Sequence, residues 1–351
     1  MKRSRERPRR AARPFESSGT WALLVASVTA CTRPIPPMHY AAPPTSAIDG
    51  PIVVIGDTQR TSFPELCIGR EQNEDARRAL ITRLANDEHP AFVVHLGDFV
   101  DIGGIPEHWE YADRLLSPLT SRGVRIYPVL GNHDTWTNRP VGLREAARRF
   151  PILDHGTFYT FRHHGLGLVF LDSNLSGNDA EEQTRWFEER LRAYEHDPTI
   201  RGVLVFAHHP AYTNAKCVGP SSYVHDDLVP RFFAYRKTVA FVTGHVHGYE
   251  HFVVNHRTFV VSGGGGGPRV EYHVGKDAHP APAYVTPDGR RRAFNYVVID
   301  DQGATLRFTV KCLETKDSVC KGGVLETFTV DVPPAPQPRC SPLGRCNPSV
   351  D

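Results

Sequence analysis

Five short apolar segments of this chain are each followed at once by a cluster of polar residues. The segments are Pro51–Ile55, Ala91–Leu96, Val124–Val129, Val203–Ala207 and Val239–Val242. The clusters after them are Gly56-Asp57-Thr58-Gln59, Gly97-Asp98-Phe99-Val100-Asp101, Gly131-Asn132-His133-Asp134, His208-His209 and Gly244-His245-Val246-His247. Apolar runs of this length are typical of buried strands. Because α/β sheets build their sites at the carboxyl ends of such strands, we expect the five clusters to meet at one rim.

Amphipathic segments alternate with these strands and predict helices. They are Glu71–Asn86, Pro106–Leu116, Gly142–Phe150, Ala180–Glu195 and Asp226–Tyr235, and a further strand is predicted at Leu168–Leu171. After residue 250 only strands are predicted, at Phe252–Val254, Thr258–Ser262, Phe294–Asp300, Thr305–Val310 and Glu326–Asp331. The alternation indicates an α/β fold with helices packed outside a sheet, and the late strands predict a second sheet packed on the first.

The polar clusters supply carboxylate, amide and imidazole groups and no thiolate. A single Asp after a strand is more often a helix cap than a metal ligand, but five such clusters, each directly after a strand, favour a metal centre. Oxygen and nitrogen donors of this kind suit Mn, Fe, Zn or Mg. Two adjacent cations need a shared anionic ligand, and Asp98, central in the set, is the expected bridge.

The ordered series GD-x-Q, GDxxD, GNHD, HH and GHxH resembles the signature of the calcineurin-like metallophosphoesterases, and the resemblance covers residues 51–247. It implies a four-layer α/β/β/α sandwich of two packed mixed sheets with flanking helices, over residues 51–332. It also implies two divalent or trivalent metal ions. One ion is assigned to Asp57, Gln59, Asp98 and His247, and the other to Asp98, Asn132, His208 and His245.

The resemblance implies hydrolysis of phosphate esters. Two ions about 3.5–4 Å apart can bind a phosphoryl group and lower the pKa of a bridging water. His133 is then the catalytic acid for the leaving group, with Asp134 orienting it. Small phosphomonoesters are the expected substrates, with phosphodiesters of nucleotides or phospholipid head groups as the alternative. A non-catalytic surface protein that retains the fold is an alternative of another class.

Two positions depart from the family pattern. Gln59 stands where a histidine is usual, and its neutral side-chain oxygen is a weaker ligand. Asp134 replaces the more frequent Glu. Asp101 has no ligand role in the assignment and is expected to lie behind the ligands.

Three residues are candidates for binding the substrate: Asn132, His209 and Arg269. His209 either contacts the substrate or braces His208. Arg269 follows the run Gly263–Gly267, which either brings backbone donors to a phosphate or makes a tight turn that admits no side chains.

The N-terminus resembles an export signal. Seven basic residues and two acidic ones lie in the first 31 positions, and an apolar run follows from Thr20 to Ala30. The sequence Val28-Thr29-Ala30-Cys31 is similar to a bacterial lipobox, with an ordinary signal peptide as the alternative. We therefore expect a signal peptide over 1–30, lipid on Cys31, a proline-rich tether over 31–50, and attachment to a bacterial membrane facing the periplasm or the cell surface.

The cysteine count fits an exported protein. Without Cys31 an even six remain, and their spacing favours pairs between Cys312 and Cys320 and between Cys340 and Cys346, with Cys67 joined to Cys217. Buried free thiols are the alternative. Residues 333–351 are predicted to form a tail that contains proline and cysteine. The rest of the chain has no basic stripe, which argues against nucleic-acid binding.

Overall fold

The computed structural model describes residues 49–284, 293–315 and 319–332, which form twelve strands and six α-helices. The strands are β1 Ile52–Ile55, β2 Phe92–His95, β3 Ile126–Pro128, β4 Tyr159–His163, β5 Leu166–Phe170, β6 Gly202–Ala207, β7 Thr238–Thr243, β8 Tyr249–Val254, β9 Arg257–Ser262, β10 Asn295–Asp301, β11 Thr305–Cys312 and β12 Val324–Asp331. The helices are α1 Phe63–Cys67, α2 Glu74–Asp87, α3 Pro106–Thr120, α4 Arg139–Arg149, α5 Gly177–His196 and α6 Val229–Phe233.

The strands form two mixed sheets of six. The first has the order β12-β11-β10-β1-β2-β3, with β1, β2 and β3 parallel and β10 antiparallel to β1. The second has the order β4-β5-β6-β7-β9-β8, with β5, β6, β7 and β9 parallel and antiparallel strands at both edges.

The late strands do not form a sheet of their own, so that expectation was wrong. Strands β8 and β9 extend the second sheet, while β10, β11 and β12 extend the first. The reason lies in β1, whose four residues are all buried. A fully buried strand needs a hydrogen-bonded neighbour on each side, and Ile52 accordingly pairs with Phe92 of β2 and with Ile299 of β10.

The two sheets pack face to face between helical layers, which confirms the predicted four-layer sandwich. Side chains of the inner faces share one core, among them Val54 and Phe308 from the first sheet and Phe170 and Val242 from the second. Helices α2, α3 and α4 belong to the layer on the first sheet. Helices α5 and α6 cover the outer face of the second sheet, where Phe187 and Phe232 join a separate apolar cluster.

Three elements differ from the sequence prediction. Strand β4 was missed because it is an edge strand whose middle residues are half-buried or exposed, so it lacks a full apolar run. The helix predicted over Asp226–Tyr235 begins earlier, as a π-helical turn over Tyr223–Leu228, and continues as α6. Helix α1 was not predicted, and its five residues lie in the loop after β1.

The disulfide between Cys312 and Cys320 is present, as predicted. The predicted pair of Cys67 with Cys217 is wrong, because both are free and exposed to solvent. An even count of cysteines does not show whether two side chains meet. Cys31, Cys340 and Cys346 lie outside the described residues. Within the described part of the chain, no helix is long and apolar enough to cross a membrane.

Candidate metal centre

The loops after β1, β2, β3, β6 and β7 bring the five polar clusters together, as predicted. Three of these strands belong to the first sheet and two to the second, so the rim is shared between the sheets. The side chains form two groups, and within each group the ligand atoms lie within 4.8 Å of one another. The groups are Asp57, Asp98 and His247, and His208, His209 and His245.

The first group lies around Asp57 and His247. The Nε2 atom of His247 lies 3.5 Å from Oδ1 of Asp57. Nδ1 of the same ring lies 2.8 Å from the carbonyl oxygen of Pro268, which it meets as a donor. The Nε2 lone pair is therefore free to bind a cation. The Gln59 amide completes the group, with its Nε2 atom 3.2 Å from Asp98 Oδ2 and 3.1 Å from His247 Nε2.

The second group is centred on His208. Its Nδ1 donates to the carbonyl oxygen of Leu96 at 2.8 Å, which leaves Nε2 as the basic atom. That Nε2 lies 3.0 Å from Asn132 Oδ1, 3.1 Å from His245 Nδ1 and 3.5 Å from Asp98 Oδ2. Asp98 Oδ2 thus faces both groups, since it also accepts from Gln59.

The donor atoms fit two cations. Oδ1 of Asp57 is buried without a hydrogen-bond partner, and a buried polar atom normally has one. Burial, followed by the charge of Asp98, raises the pKa of Asp57 well above its usual range. Burial lowers the pKa of His208 and of His245 well below the usual range, so both rings are neutral bases. Cations at this position would neutralise the crowded carboxylates and bind the neutral imidazoles.

Three candidate ligands have a left-handed backbone. The φ angles are 60° at Asp57, 56° at Asp98 and 67° at His245. Such angles are uncommon outside glycine and cost about 1–3 kcal/mol each, and they cluster at functional sites.

His133 lies in a short 3-10 turn after β3 and its ring is held by the loop after β2. Nδ1 of the ring donates to the carbonyl oxygen of Asp101 at 2.8 Å, and the backbone N–H donates to Asp98 Oδ1 at 2.9 Å. Burial lowers the pKa of His133, but the Asp98 carboxylate and the bond to Asp101 outweigh it, so the net shift is upward.

Asp134 does not contact the ring of His133, contrary to the sequence-based expectation. Its Oδ2 accepts from the backbone N–H groups of Asp98 and Gly131, and its Oδ1 accepts from those of Phe99 and Val100. Burial and the nearby Asp98 raise the pKa of Asp134 to about 8. Asp134 therefore fixes the loop that carries Asp98, and Asp101 orients His133.

Arg269 is engaged by another residue, so its predicted role in binding substrate finds no support. Its Nε and one terminal nitrogen donate to the two carboxylate oxygens of Glu71, and its guanidinium lies 4.7 Å from the ring centre of Phe294. The preceding glycine run makes a close turn rather than a phosphate cradle. A Cβ on Gly267 would lie 2.7 Å from the ring of His247, and the Gly267 N–H donates to the carbonyl oxygen of Asp57.

His209 belongs to the second ligand group, and a serine that sequence reasoning missed holds it. Ser173 Oγ lies 2.8 Å from His209 Nδ1 and accepts from the His209 backbone N–H at 2.9 Å. With Nδ1 engaged, Nε2 is the atom left for the centre. Ser173 follows β5 in the same way that the five clusters follow their strands, and Asp172-Ser173-Asn174 is a sixth cluster that this rule would have found.

Comparisons with known proteins agree with this centre. Residues 50–249, more than half of the chain, match the family model described as calcineurin-like phosphoesterase. A probable purple acid phosphatase of Arabidopsis thaliana is 28% identical over 156 residues, which are 41% of this chain and 36% of that protein.

Solved structures share the fold. A purple acid phosphatase from yellow lupin (Lupinus luteus) seeds aligns with a TM-score of 0.63 at 17% identity, over 81% of this chain and 54% of that one. GAP50, the anchor in the inner membrane complex of Plasmodium, aligns with a TM-score of 0.58 at 16% identity, over 81% and 89%. The chain thus spans about a third of the Arabidopsis protein and about half of the lupin enzyme.

Proposed function

Since this chain belongs to the calcineurin-like phosphoesterase family, we propose that it hydrolyses phosphomonoesters at a centre of two metal ions. The observation that carries the proposal is the position of Asp98, whose Oδ2 lies 3.2 Å from the Gln59 amide of one ligand group and 3.5 Å from His208 Nε2 of the other. One carboxylate facing two groups of neutral and anionic donors is the arrangement that two cations need.

The ligand sets follow from the two groups. Asp57, Gln59, Asp98 and His247 would hold one ion, and Asp98, Asn132, His208 and His245 the other. When bound, the two ions supply a positive site for the phosphoryl oxygens and an acidified water as nucleophile. Rotation of the Gln59 amide by half a turn exchanges its NH2 for Oε1. That oxygen then faces Asp98 Oδ2 and His247 Nε2, where the NH2 group lies in this structure.

The chain's own residues supply the proton and the orientation. His133 keeps its Nδ1 on the Asp101 carbonyl, so Nε2 is the atom that donates a proton to the leaving oxygen. Asn132 and the Nε2 atom of His209 would contact the phosphoryl oxygens. His209 is aimed by its bond to Ser173.

The metal assignment is tested by Asp98→Ala, with the exposed Asp226→Ala as a matched control. Metal analysis of the purified protein should find about two equivalents, and Asp98→Ala should lower both metal content and the rate of phosphomonoester hydrolysis, because both ions lose a ligand. Full metal content and full rate in Asp98→Ala would refute the dinuclear centre. A panel of monoesters and diesters distinguishes the proposed activity from a phosphodiesterase.

The role of His133 is tested by its replacement with Ala. An unprotonated alkoxide is far more basic than a nitrophenolate, so the variant should lose more rate on an alkyl phosphate than on nitrophenyl phosphate, by about 10²-fold. Metal content should not change. Equal losses on the two substrates would assign His133 to substrate positioning instead.

A binding role without catalysis is the second candidate. It is favoured by the neutral Gln59 at a ligand position, and GAP50, described as an anchor, shares the fold at low identity. Protein that binds two metal equivalents yet hydrolyses none of the monoesters and diesters would support this candidate over the enzyme.

We further propose that the protein is an exported lipoprotein, with a signal peptide over 1–30, lipid on Cys31 and a tether over 31–50. The similarity of residues 28–31 to a lipobox supports this proposal. Cys31→Ser should release the protein from membranes into the soluble exported fraction with the same specific activity. Detergent-phase partitioning that is identical in the variant and the native chain would reject the lipid anchor.

A further inference from the structure

A cavity of about 580 Å³ opens between α1 and the start of α3, and we call it the α1–α3 cavity. Its apolar wall consists of Phe63, Leu66, Ile102 and Ile105. A volume of this size is typical of pockets that bind small organic molecules. None of the candidate metal ligands lines it.

The α1–α3 cavity adjoins a residue that holds the proposed general acid. Asp101 forms part of its wall, and the carbonyl oxygen of the same residue accepts the Nδ1 hydrogen bond of His133. Arg60, another wall residue, directly follows Gln59. The cavity therefore lies beside the residue that holds the ring of His133.

The charged side chains of the wall are already paired with one another. The carboxylate of Asp101 lies 3.4 Å from a terminal nitrogen of Arg60 and 2.9 Å from Nδ1 of His108. Arg77 is paired with Glu74 at 2.8 Å. A charged leaving group would have to break one of these pairs, whereas a neutral apolar one would cover the apolar wall and leave them intact.

Phe63 supports a ligand in this position. Its side chain is 77% exposed although it is large and apolar, and it lies on the rim of the cavity. A contact with a bound apolar group would remove this surface from water, which is favourable. Ile68, five residues later, is 75% exposed and does not line the cavity.

We propose that the α1–α3 cavity receives the leaving group, and that the substrates are phosphomonoesters of bulky neutral alcohols or phenols. This inference rests on the proposed function and adds to it a substrate class. It predicts that selectivity resides in the apolar wall rather than in contacts with charged groups of the substrate.

The test is a series of 4-alkylphenyl phosphates, from unsubstituted to butyl. The acidity of the phenol is nearly constant along the series, so differences in kcat/KM report on binding of the alkyl chain. We expect a rise of about fourfold for each buried methylene. Phe63→Ala should flatten this slope, and the matched control Ile68→Ala should keep it. A flat series in the native chain, or equal slopes in the two variants, would overturn the proposal.

Failure of the inference can be distinguished from failure of the proposed function. Hydrolysis of phenyl phosphate that is lost in Asp98→Ala tests the metal-dependent activity alone. If the whole series is inert, the proposed activity is refuted, and calorimetry with 4-alkylphenylphosphonates on the metal-loaded protein still measures the cavity. Affinity that rises with chain length and falls in Phe63→Ala supports the cavity assignment, and affinity independent of chain length rejects it.

Discussion

Replacement of Asp134 by Asn tests whether this carboxylate anchors the loop of Asp98 or acts on His133. Its two oxygens accept from four buried backbone N–H groups, at 2.8, 2.8, 2.8 and 3.3 Å. Asn has nearly the same shape, but only one of its two terminal atoms is an acceptor. The NH2 group must face two of the N–H donors, whichever way the amide is turned.

The structure sets the size of the effect. Two buried donors without an acceptor cost about 1–3 kcal/mol each, so the free energy of unfolding should fall by about 2–6 kcal/mol. That is a large fraction of the total for an ordinary domain. Because two of the donors belong to Asp98 and Gly131, metal content should fall together with stability.

The assay is denaturant unfolding of the metal-loaded variant beside metal analysis, with Asp226→Asn as the control. Asp226 has a side chain that is 66% exposed, and its substitution should change stability by less than about 0.5 kcal/mol. The anchoring role would be refuted if Asp134→Asn kept native stability and metal content but lost the discrimination between alkyl and nitrophenyl phosphates. That pattern would assign Asp134 to His133 after all.

Two further predictions concern the loops and the charges of the centre. Gly97→Ala should destabilise the protein by about 1–3 kcal/mol and lower metal content, because the new Cβ would lie 2.5 Å from the backbone nitrogen of Gly131. The control Gly123→Ala, also at positive φ but with nothing within 4 Å of the new Cβ, should cost only the backbone strain. Equal losses of metal in the two variants would disprove the close-contact argument. In chelated protein, the free energy of unfolding should fall from pH 6.5 to 8 by up to about 1.4 kcal/mol per pH unit. The reason is that the pKa of Asp134 is raised from 3.8 to about 8, so the folded state binds a proton that the unfolded state has lost. The lowered pKa of His208 acts in the opposite direction only below about pH 6.5. Added metal should reduce the dependence of the free energy of unfolding on pH. The same pH dependence with and without chelator would contradict this account.

The candidate ligands could be predicted because their positions are local properties of the sequence. Each follows a buried apolar run, and the end of a strand fixes where its next residues lie. The partners of the late strands could not be predicted, since pairing of β1 with β10 depends on contacts between residues 52–54 and 297–299. The role of Asp134 could not be predicted for a similar reason, because its partners are backbone N–H groups, which are present at nearly every position of any sequence.

The partner of the Arg269 side chain could not be predicted from the sequence either. Its position after a glycine run favours a phosphate contact, yet Glu71, 198 positions earlier in the chain, binds the guanidinium with both oxygens. An arginine in a loop pairs with whichever carboxylate the fold brings to it. The residues around Arg269 in the sequence do not indicate that Glu71 is its partner.

The division of the rim between two sheets has a consequence for the order of events during synthesis. Gln59 and His247, which meet in one ligand group, are 188 positions apart in the chain. A nascent chain that ends before β7 lacks an imidazole of each ligand set, so it cannot close either coordination sphere. Metal capture should then be among the last steps of maturation, and the appearance of bound metal during refolding should report the docking of the second sheet on the first.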